Sequence, residues 1–274
     1  MPKLEGTLLL VGAGKMGGAM LSGWLDSGIE PASILIQDPS PASEIAELAR
    51  HHAIRSAPSF DPSEAAPAVV VLAVKPQVMD TVAPTVTGLA SPNTLIISVA
   101  AGRTVASLAR HFPPDTPIVR AMPNTPSSVG RGVTGAYAAA GVSDDQKLLC
   151  TELLDAVGAT VWVDREADID AVTAVSGSGP AYVFHLVEAM TAAGMREGLS
   201  EAIAGELARR TVAGAGELLH RSELPAATLR ENVTSPGGTT AAALAVLMAE
   251  EKGLTQLMGD AVNAARRRAE ELSG

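Results

Sequence analysis

The segment "TLLLVGAGKMGGAM" restricts the possible folds of this chain more than any other. A β-rich apolar run over residues 7–11 leads directly into Gly12-Ala13-Gly14-Lys15-Met16-Gly17, and a helical pattern follows through Leu21, Trp24 and Leu25. Strand, glycine turn and helix in that order begin a βα unit, and the spacing is G-x-G-x-x-G. In such a unit Gly12 permits the tight turn, Gly14 lets the backbone approach a pyrophosphate, and Gly17 lets helix and strand pack closely. The free N–H groups at the helix start attract an anion. Gly12, Ala13, Gly14, Lys15, Met16 and Gly17 are therefore candidate cofactor-binding residues; a plain glycine-rich turn is the alternative.

"SILIQDPSP" predicts a second strand over residues 33–37 with Asp38 at its tip, 21 positions after Gly17. An acid at about that offset hydrogen-bonds the adenosine ribose in NAD-binding units. Asp38 reads equally well as a turn residue before Pro39 that caps the helix near Ser43. Arg50 and Arg55, the cations nearest in sequence, lie a helix away, so NAD against NADP stays open at this point. The rhythm continues in "AVVVLAVKPQ", "TLIISVAAG" and "PIVRAMPNTP", each a short apolar run with a polar or Gly/Pro tip. Such runs read as buried parallel strands, and ligands gather at their C-terminal tips. Lys75-Pro76, Ala100-Ala101-Gly102 and Met122-Pro123-Asn124 stand there. "VTGAYAAA", a helical "DDQKLLCTELLDAVG" and "ATVWVD" complete the expected sheet region.

Composition excludes several classes. With 274 residues and 47% hydrophobic content the chain can bury a core. No apolar run reaches the roughly 18 residues of a membrane helix, and the leader "MPKLEGT" is unlike a secretory signal, so a soluble, cytoplasmic protein with no membrane partner is expected. A net charge of −10 argues against nucleic acid as a partner. Cys150 is the single cysteine, which excludes an intramolecular disulfide and a thiolate zinc cage; its helical context reads as a small buried hydrophobe. His51, His52, His111, His185 and His220 form no metal spacing, and His185 reads as a packed helix residue. Arg266, Arg267 and Arg268 read as a solvated helix face or as residues near a subunit contact.

From Asp164 onward the apolar period is helical, with faces at Leu186, Met190, Leu244, Leu247 and Met248, and the expected domain boundary falls there: residues 1–163, then residues 164–274. Two stretches interrupt these helices. In "SGSGPAY" Pro180 suits a first helical turn. In "NVTSPGGTT", residues 232–240, glycines and small hydroxyls stand before a new helix, where free N–H groups can take a carboxylate or phosphate. Close helix packing is the alternative reading of both.

Taken in order and spacing, "LLLVGAGKMGGAM", "LAVKPQ", "SVAAG", "RAMPNTP", "AVSGSGPAY" and "NVTSPGGTTAAAL" resemble pyrroline-5-carboxylate reductase over essentially the whole chain. The last motif is the most specific; the first is shared by many dehydrogenases. The resemblance implies an α/β N-terminal Rossmann domain with a doubly wound, mostly parallel sheet, then an all-α C-terminal substrate-binding and dimerisation domain. It also implies a homodimer that assembles further, up to a decamer built of dimers. The implied reaction is hydride transfer from NADPH or NADH to the C=N carbon of 1-pyrroline-5-carboxylate, giving L-proline.

Carried residue by residue, the resemblance places the substrate carboxylate on the N–H groups of Gly238, Thr239 and Thr240. The Thr240 hydroxyl meets the ring nitrogen; an unassisted threonine is a weak acid, so orientation and relay through water are expected before true general acid catalysis. Glu223 aligns with a glutamate near the substrate, and Asn232, nine residues on, with an asparagine that contacts the cofactor. An exposed acid and a helix-terminal asparagine are their plainer readings. Ala73, Lys75, Pro76, Ala100, Ala101 and Gly102 match positions lining the nicotinamide side. One departure stands out: where many members carry an asparagine that helps hold the adenosine phosphate end, this chain has Ser59 and Phe60. With Asp38 this weakens strict NADPH preference and leaves NADH at least tolerated.

Two other readings compete. A β-hydroxyacid dehydrogenase-like oxidoreductase would carry a Lys-x-x-x-Asn pair, but here Lys252 is followed four residues on by Gln256. A non-catalytic dinucleotide-binding protein would lack a second polar site, which "SPGGTT" supplies.

Overall fold

The computed structural model describes residues 4–61 and 66–273. Residues 1–3, on which part of the leader reading rests, lie outside the described residues. The elements run β1 (Leu8–Val11), α1 (Lys15–Asp26), β2 (Ile34–Gln37), α2 (Ser43–His51), β3 (Arg55–Ala57), β4 (Val69–Leu72), α3 (Met79–Thr87), β5 (Leu95–Ser98), α4 (Val105–Ala109) and β6 (Ile118–Met122). They continue with β7 (Gly132–Ala138), α5 (Asp144–Asp155), β8 (Gly158–Trp162), α6 (Asp168–Val172), α7 (Gly179–Arg196), α8 (Glu201–Arg221), α9 (Ala226–Asn232), α10 (Thr239–Leu247) and α11 (Leu254–Ser273).

Among the described residues eight strands form one sheet in the order β3-β2-β1-β4-β5-β6-β7-β8. The chain starts in the middle, winds outward to β3, crosses back to β4 and winds out the other way, so the tips of β1, β2 and β4 surround the reversal point where ligands bind in such sheets. β1, β4 and β5 are buried along their whole length, as continuous Val/Ile/Leu runs of a doubly covered parallel sheet should be. Each such side chain contributes about 1.5–3 kcal/mol by leaving water. On one face Met20, Leu21 and Trp24 of α1 pack with Cys150, Leu153 and Leu154 of α5. The buried Trp24 indole donates to the Leu153 carbonyl at 2.8 Å. Cys150 is fully buried, as its helical context suggested.

Two sheet features lack a strong local signal. β3 is three residues, "RSA", paired parallel to β2. β7 runs antiparallel to β6, with Val119 opposite Ala138 and Met122 opposite Gly135. Asn124 supports this reversal: its side-chain oxygen accepts from Val133 N–H at 3.0 Å and its amide donates to the Ser176 carbonyl at 3.1 Å.

Two compact units emerge, one reaching Gly177 and including the chain end from Arg266, the other Ser178–Ala265. The first thus runs beyond Asp164, where the helical period begins. The reason is Arg120 on β6, whose guanidinium bonds Glu166 at 3.4 Å and Asp170 of α6 at 3.2 Å and holds that helix to the sheet. The second unit is helical. Among its described residues Ala204 and Ala208 of α8 are the buried apolar side chains, and a Cβ on Gly194 of α7 would stand 3.1 Å from that of Ala204. Phe184, Leu186, Leu207, Leu218, Leu219 and Leu247 are exposed, so its apolar faces point outward in the single chain. His185 differs from the packed residue expected: its side chain is exposed and pairs with Glu188 one turn on, at 2.9 Å.

Candidate functional site

The turn after β1 is built as its glycines require. Gly12 has φ +93°, and a Cβ there would stand 2.7 Å from the Val74 Cγ1 and 2.9 Å from the Ala73 carbonyl oxygen. A Cβ on Gly17 would collide with the Gly12 carbonyl oxygen, so α1 can start this close to β1 only with glycine. Above Gly14 there is nothing within 4 Å of where a Cβ would sit. The loop is closed towards the sheet and open outward. Gly14 also lines a cavity of about 520 Å³, together with Gly12, Gln37, Asp38, Ala73 and Lys75, Pro58 after β3, Val78 in the 3-10 turn before α3, and Thr85 of α3. Its size and its mix of apolar wall and few polar groups suit part of a dinucleotide. The cradle that only glycine fits, with α1 starting at Lys15, suits a pyrophosphate.

Asp38 stands at the tip of β2, with both carboxylate oxygens engaged. Oδ2 accepts from Ala13 N–H at 2.6 Å and Oδ1 from Ser40 N–H at 2.7 Å. The turn reading is thus realised, but the helix-cap reading is not, because α2 starts behind Ala42 with no side-chain cap. The carboxylate instead ties the glycine loop to the second strand. Gln37 beside it donates from Nε2 to the Thr85 hydroxyl at 2.7 Å, while its Oε1 is buried without a hydrogen-bond partner. Neither Gln37 nor Thr85 stands out in the sequence; the signal available was only their position at a strand tip and on the following helix.

The other strand-tip residues fall on neighbouring tips. Lys75 is exposed and precedes Pro76, which opens a 3-10 turn after β4. Ala100, Ala101 and Gly102 follow β5, and Gly102 has φ +71°. Arg103 was not anticipated: its Nε donates to the Pro76 carbonyl at 3.0 Å and its other arm pairs with Asp80 of α3. It thereby holds the loops after β4 and β5 together. The Arg103 guanidinium and then His111, at 2.9 Å, keep the Asp80 carboxyl below the usual carboxylate range.

In the second unit, Gly237 has φ +70° and Gly238 is the N-cap of α10, with Thr239 and Thr240 in the first turn. No side chain caps that helix start, so the first-turn N–H groups point to whatever lies beyond it. Glu223 is exposed between α8 and α9, and Asn232 ends α9. Pro180 lies in the first turn of α7, directly after a π turn over Thr173–Gly177.

A family model described as pyrroline-5-carboxylate reductase dimerisation matches residues 166–272, and one described as NADP oxidoreductase, coenzyme F420-dependent, matches residues 7–102. A pyrroline-5-carboxylate reductase of Pseudomonas aeruginosa is 43% identical over 97% of this chain and 96% of its own. The chain belongs to the pyrroline-5-carboxylate reductase family. Among solved structures of the family, that of the Coxiella burnetii reductase superposes with a TM-score of 0.89 at 35% identity, covering 98% of this chain and 99% of the other. A Plasmodium falciparum pyrroline carboxylate reductase with NADP bound gives 0.79 at 28% identity and full coverage of both chains. Membership of this family sets aside the hydroxyacid dehydrogenase reading. Consistently, Lys252 lies in a turn at φ +61°, ahead of α11, and not on a helix face.

Proposed function

We propose that the chain reduces 1-pyrroline-5-carboxylate to L-proline with NAD(P)H, the last step of proline biosynthesis. One observation carries this reading: the glycine cradle after β1 is open above Gly14, which also lines a cavity walled by Asp38, Ala73 and Lys75. Residues 1–163 hold the dinucleotide, and residues 164–274 bind the substrate and dimerise. Gly12 and Ala13 form the turn, their own N–H groups held by the Gln37 carbonyl at 3.0 Å and by Asp38 at 2.6 Å; the backbone of Gly14, Lys15, Met16 and Gly17 takes the pyrophosphate, and Asp38 takes the adenosine ribose. Ala73, Lys75, Pro76, Ala100, Ala101 and Gly102 line the nicotinamide side, and the resemblance gives Asn232 a contact with the cofactor. When bound, NAD(P)H supplies the hydride that the imine carbon receives.

The chain's own part is placement and charge. The N–H groups of Thr239 and Thr240 hold the substrate carboxylate at the start of α10, where the helix dipole favours an anion and no buried lysine is needed; the Gly238 N–H, which the resemblance adds to this set, already donates to the Ser235 carbonyl at 3.0 Å, so Gly238 contributes the close backbone approach. The Thr240 hydroxyl orients the ring nitrogen, which gains a proton through water as the imine becomes an amine. Glu223 lies beside this pocket. A second copy of the chain covers the outward apolar faces of the helical unit, since exposed apolar surface on this scale marks an interface. We place the homodimer in the cytoplasm.

Thr240→Ala tests the assignment. Its kcat/KM for imine-dependent NAD(P)H oxidation should fall about ten- to a hundredfold, while dinucleotide affinity measured without imine stays within about twofold. Wild-type turnover and imine affinity in the variant would remove the role given to the hydroxyl. A folded, dinucleotide-binding wild type that oxidises no NAD(P)H with the imine would sink the reductase reading itself.

A further inference from the structure

We infer that this reductase selects NADH over NADPH and that Asp38 is the discriminating residue. The inference rests on the reading above, in which the cavity at the glycine loop is the dinucleotide site. In sheets of this winding the adenosine ribose meets the tip of the second strand, and the two cofactors differ there alone, by a 2′-hydroxyl or a 2′-phosphate. Three features of that tip bear on the choice.

First, the Asp38 carboxylate is fixed. Ala13 N–H and Ser40 N–H hold one oxygen each, at 2.6 and 2.7 Å, so the group cannot swing away from an incoming phosphate without giving up the loop it anchors. Second, its neighbour brings no positive charge to the cavity wall. Gln37 is 4% exposed and lines the same cavity, its amide nitrogen is used by Thr85, and its Oε1 lacks a partner. The Thr85 hydroxyl that receives the amide gives its own proton to the Val82 carbonyl at 2.7 Å. With Oε1 closed off from solvent, Gln37 adds an uncharged wall beside Asp38 and no cation for a phosphate.

Third, the cations are elsewhere. Among the described residues lining the cavity Lys75 is the one basic side chain. It follows β4, which is separated from β2 by β1, so about 10 Å of sheet lies between the two tips. Arg55 pairs in register with Leu35, three residues below Asp38, and its guanidinium rests 4.9 Å above the centre of the Phe60 ring. A 2′-phosphate at this tip would face a fixed carboxylate without a guanidinium to pair it, and like charges so placed discriminate strongly. A 2′-hydroxyl would find an acceptor.

The experiment titrates the full-length protein with NADH and with NADPH separately, without imine, by calorimetry, and repeats both titrations on Asp38→Asn and Asp38→Ser. Asparagine retains a side-chain oxygen for Ala13 N–H and removes the charge; circular dichroism reports whether each variant is folded. The wild type should bind NADH at least about tenfold more tightly than NADPH, and the ratio should shrink to about threefold or less in the variants, chiefly because NADPH binds better. Equal or tighter NADPH binding by the wild type overturns the preference, and a ratio unchanged in both folded variants overturns the role of Asp38. If NADPH is favoured yet supports imine reduction, only this inference falls. If neither dinucleotide binds to the folded protein, the dinucleotide site falls with it.

Discussion

At the scale of single residues, Arg120 shows how a polar side chain in a strand becomes a structural centre. It lies within "PIVRAMPNTP", at 3% exposure, and its guanidinium reaches Glu166, Asp170 and, at 3.3 Å, the Ser273 hydroxyl. Glu166 also accepts from Val105 N–H at 2.7 Å, and Ser273 bonds Asp170 at 3.1 Å. Removing the cation leaves two carboxylates in a part-buried site without compensation. Arg120→Met should therefore cost about 3–5 kcal/mol in urea unfolding; a loss below about 1 kcal/mol would show that these bonds add little. Cys150 makes the opposite case, of a reactive group made inert. Burial first, then the charge of Asp155, pushes its thiol far above the ordinary range, so the thiolate is scarce at any working pH. A thiol reagent should leave it unmodified in the native protein and react at once after denaturation; rapid labelling of folded protein would contradict the packing between α1 and α5.

At the scale of elements, periodicity explains most of what forms. The apolar runs at β1, β2, β4, β5 and β6 are where the sequence pattern places them, and α5 starts on a capping box of Ser143 and Gln146, an arrangement that saturates two helix-end N–H groups. β3 escapes such reading because "RSA" has neither length nor apolar alternation; it exists because β2 offers an open edge. The direction of β7 is likewise silent in its own residues. It depends on Gly130, at φ +66°, and on the Asn124 bridge that brings the chain back along β6. The candidate site divides in the same way. Gly12, Gly17 and Gly238 were legible because they stand at fixed spacings inside short motifs, even though part of the crowding at Gly12 comes from Ala73 and Val74 beyond β4, whereas Gln37, Thr85 and Arg103 matter through neighbours on other elements.

At the scale of the whole molecule, the two units differ in how they hide apolar surface. The sheet unit buries its own, on both faces. The helical unit leaves Phe184 and Leu218 each 63% exposed in the single chain, which is why a second copy is expected to complete it. Leu207→Glu, at a position exposed on α8, should shift the protein towards monomer on sizing at micromolar concentration without unfolding the first unit; an unchanged oligomer would place the contact on another face. The sequence by itself determined the alternation of strands and helices, the glycine turn after β1, the helix start at Gly238 and the family, because each rests on period, sterics or motif within a short span. Only the tertiary structure decided where Asp38 directs its charge, which residues neutralise Arg120 and how the strands order. Those depend on groups far apart along the chain, Arg120 and Ser273 being 153 residues from one another, and such pairings leave no mark in any local pattern.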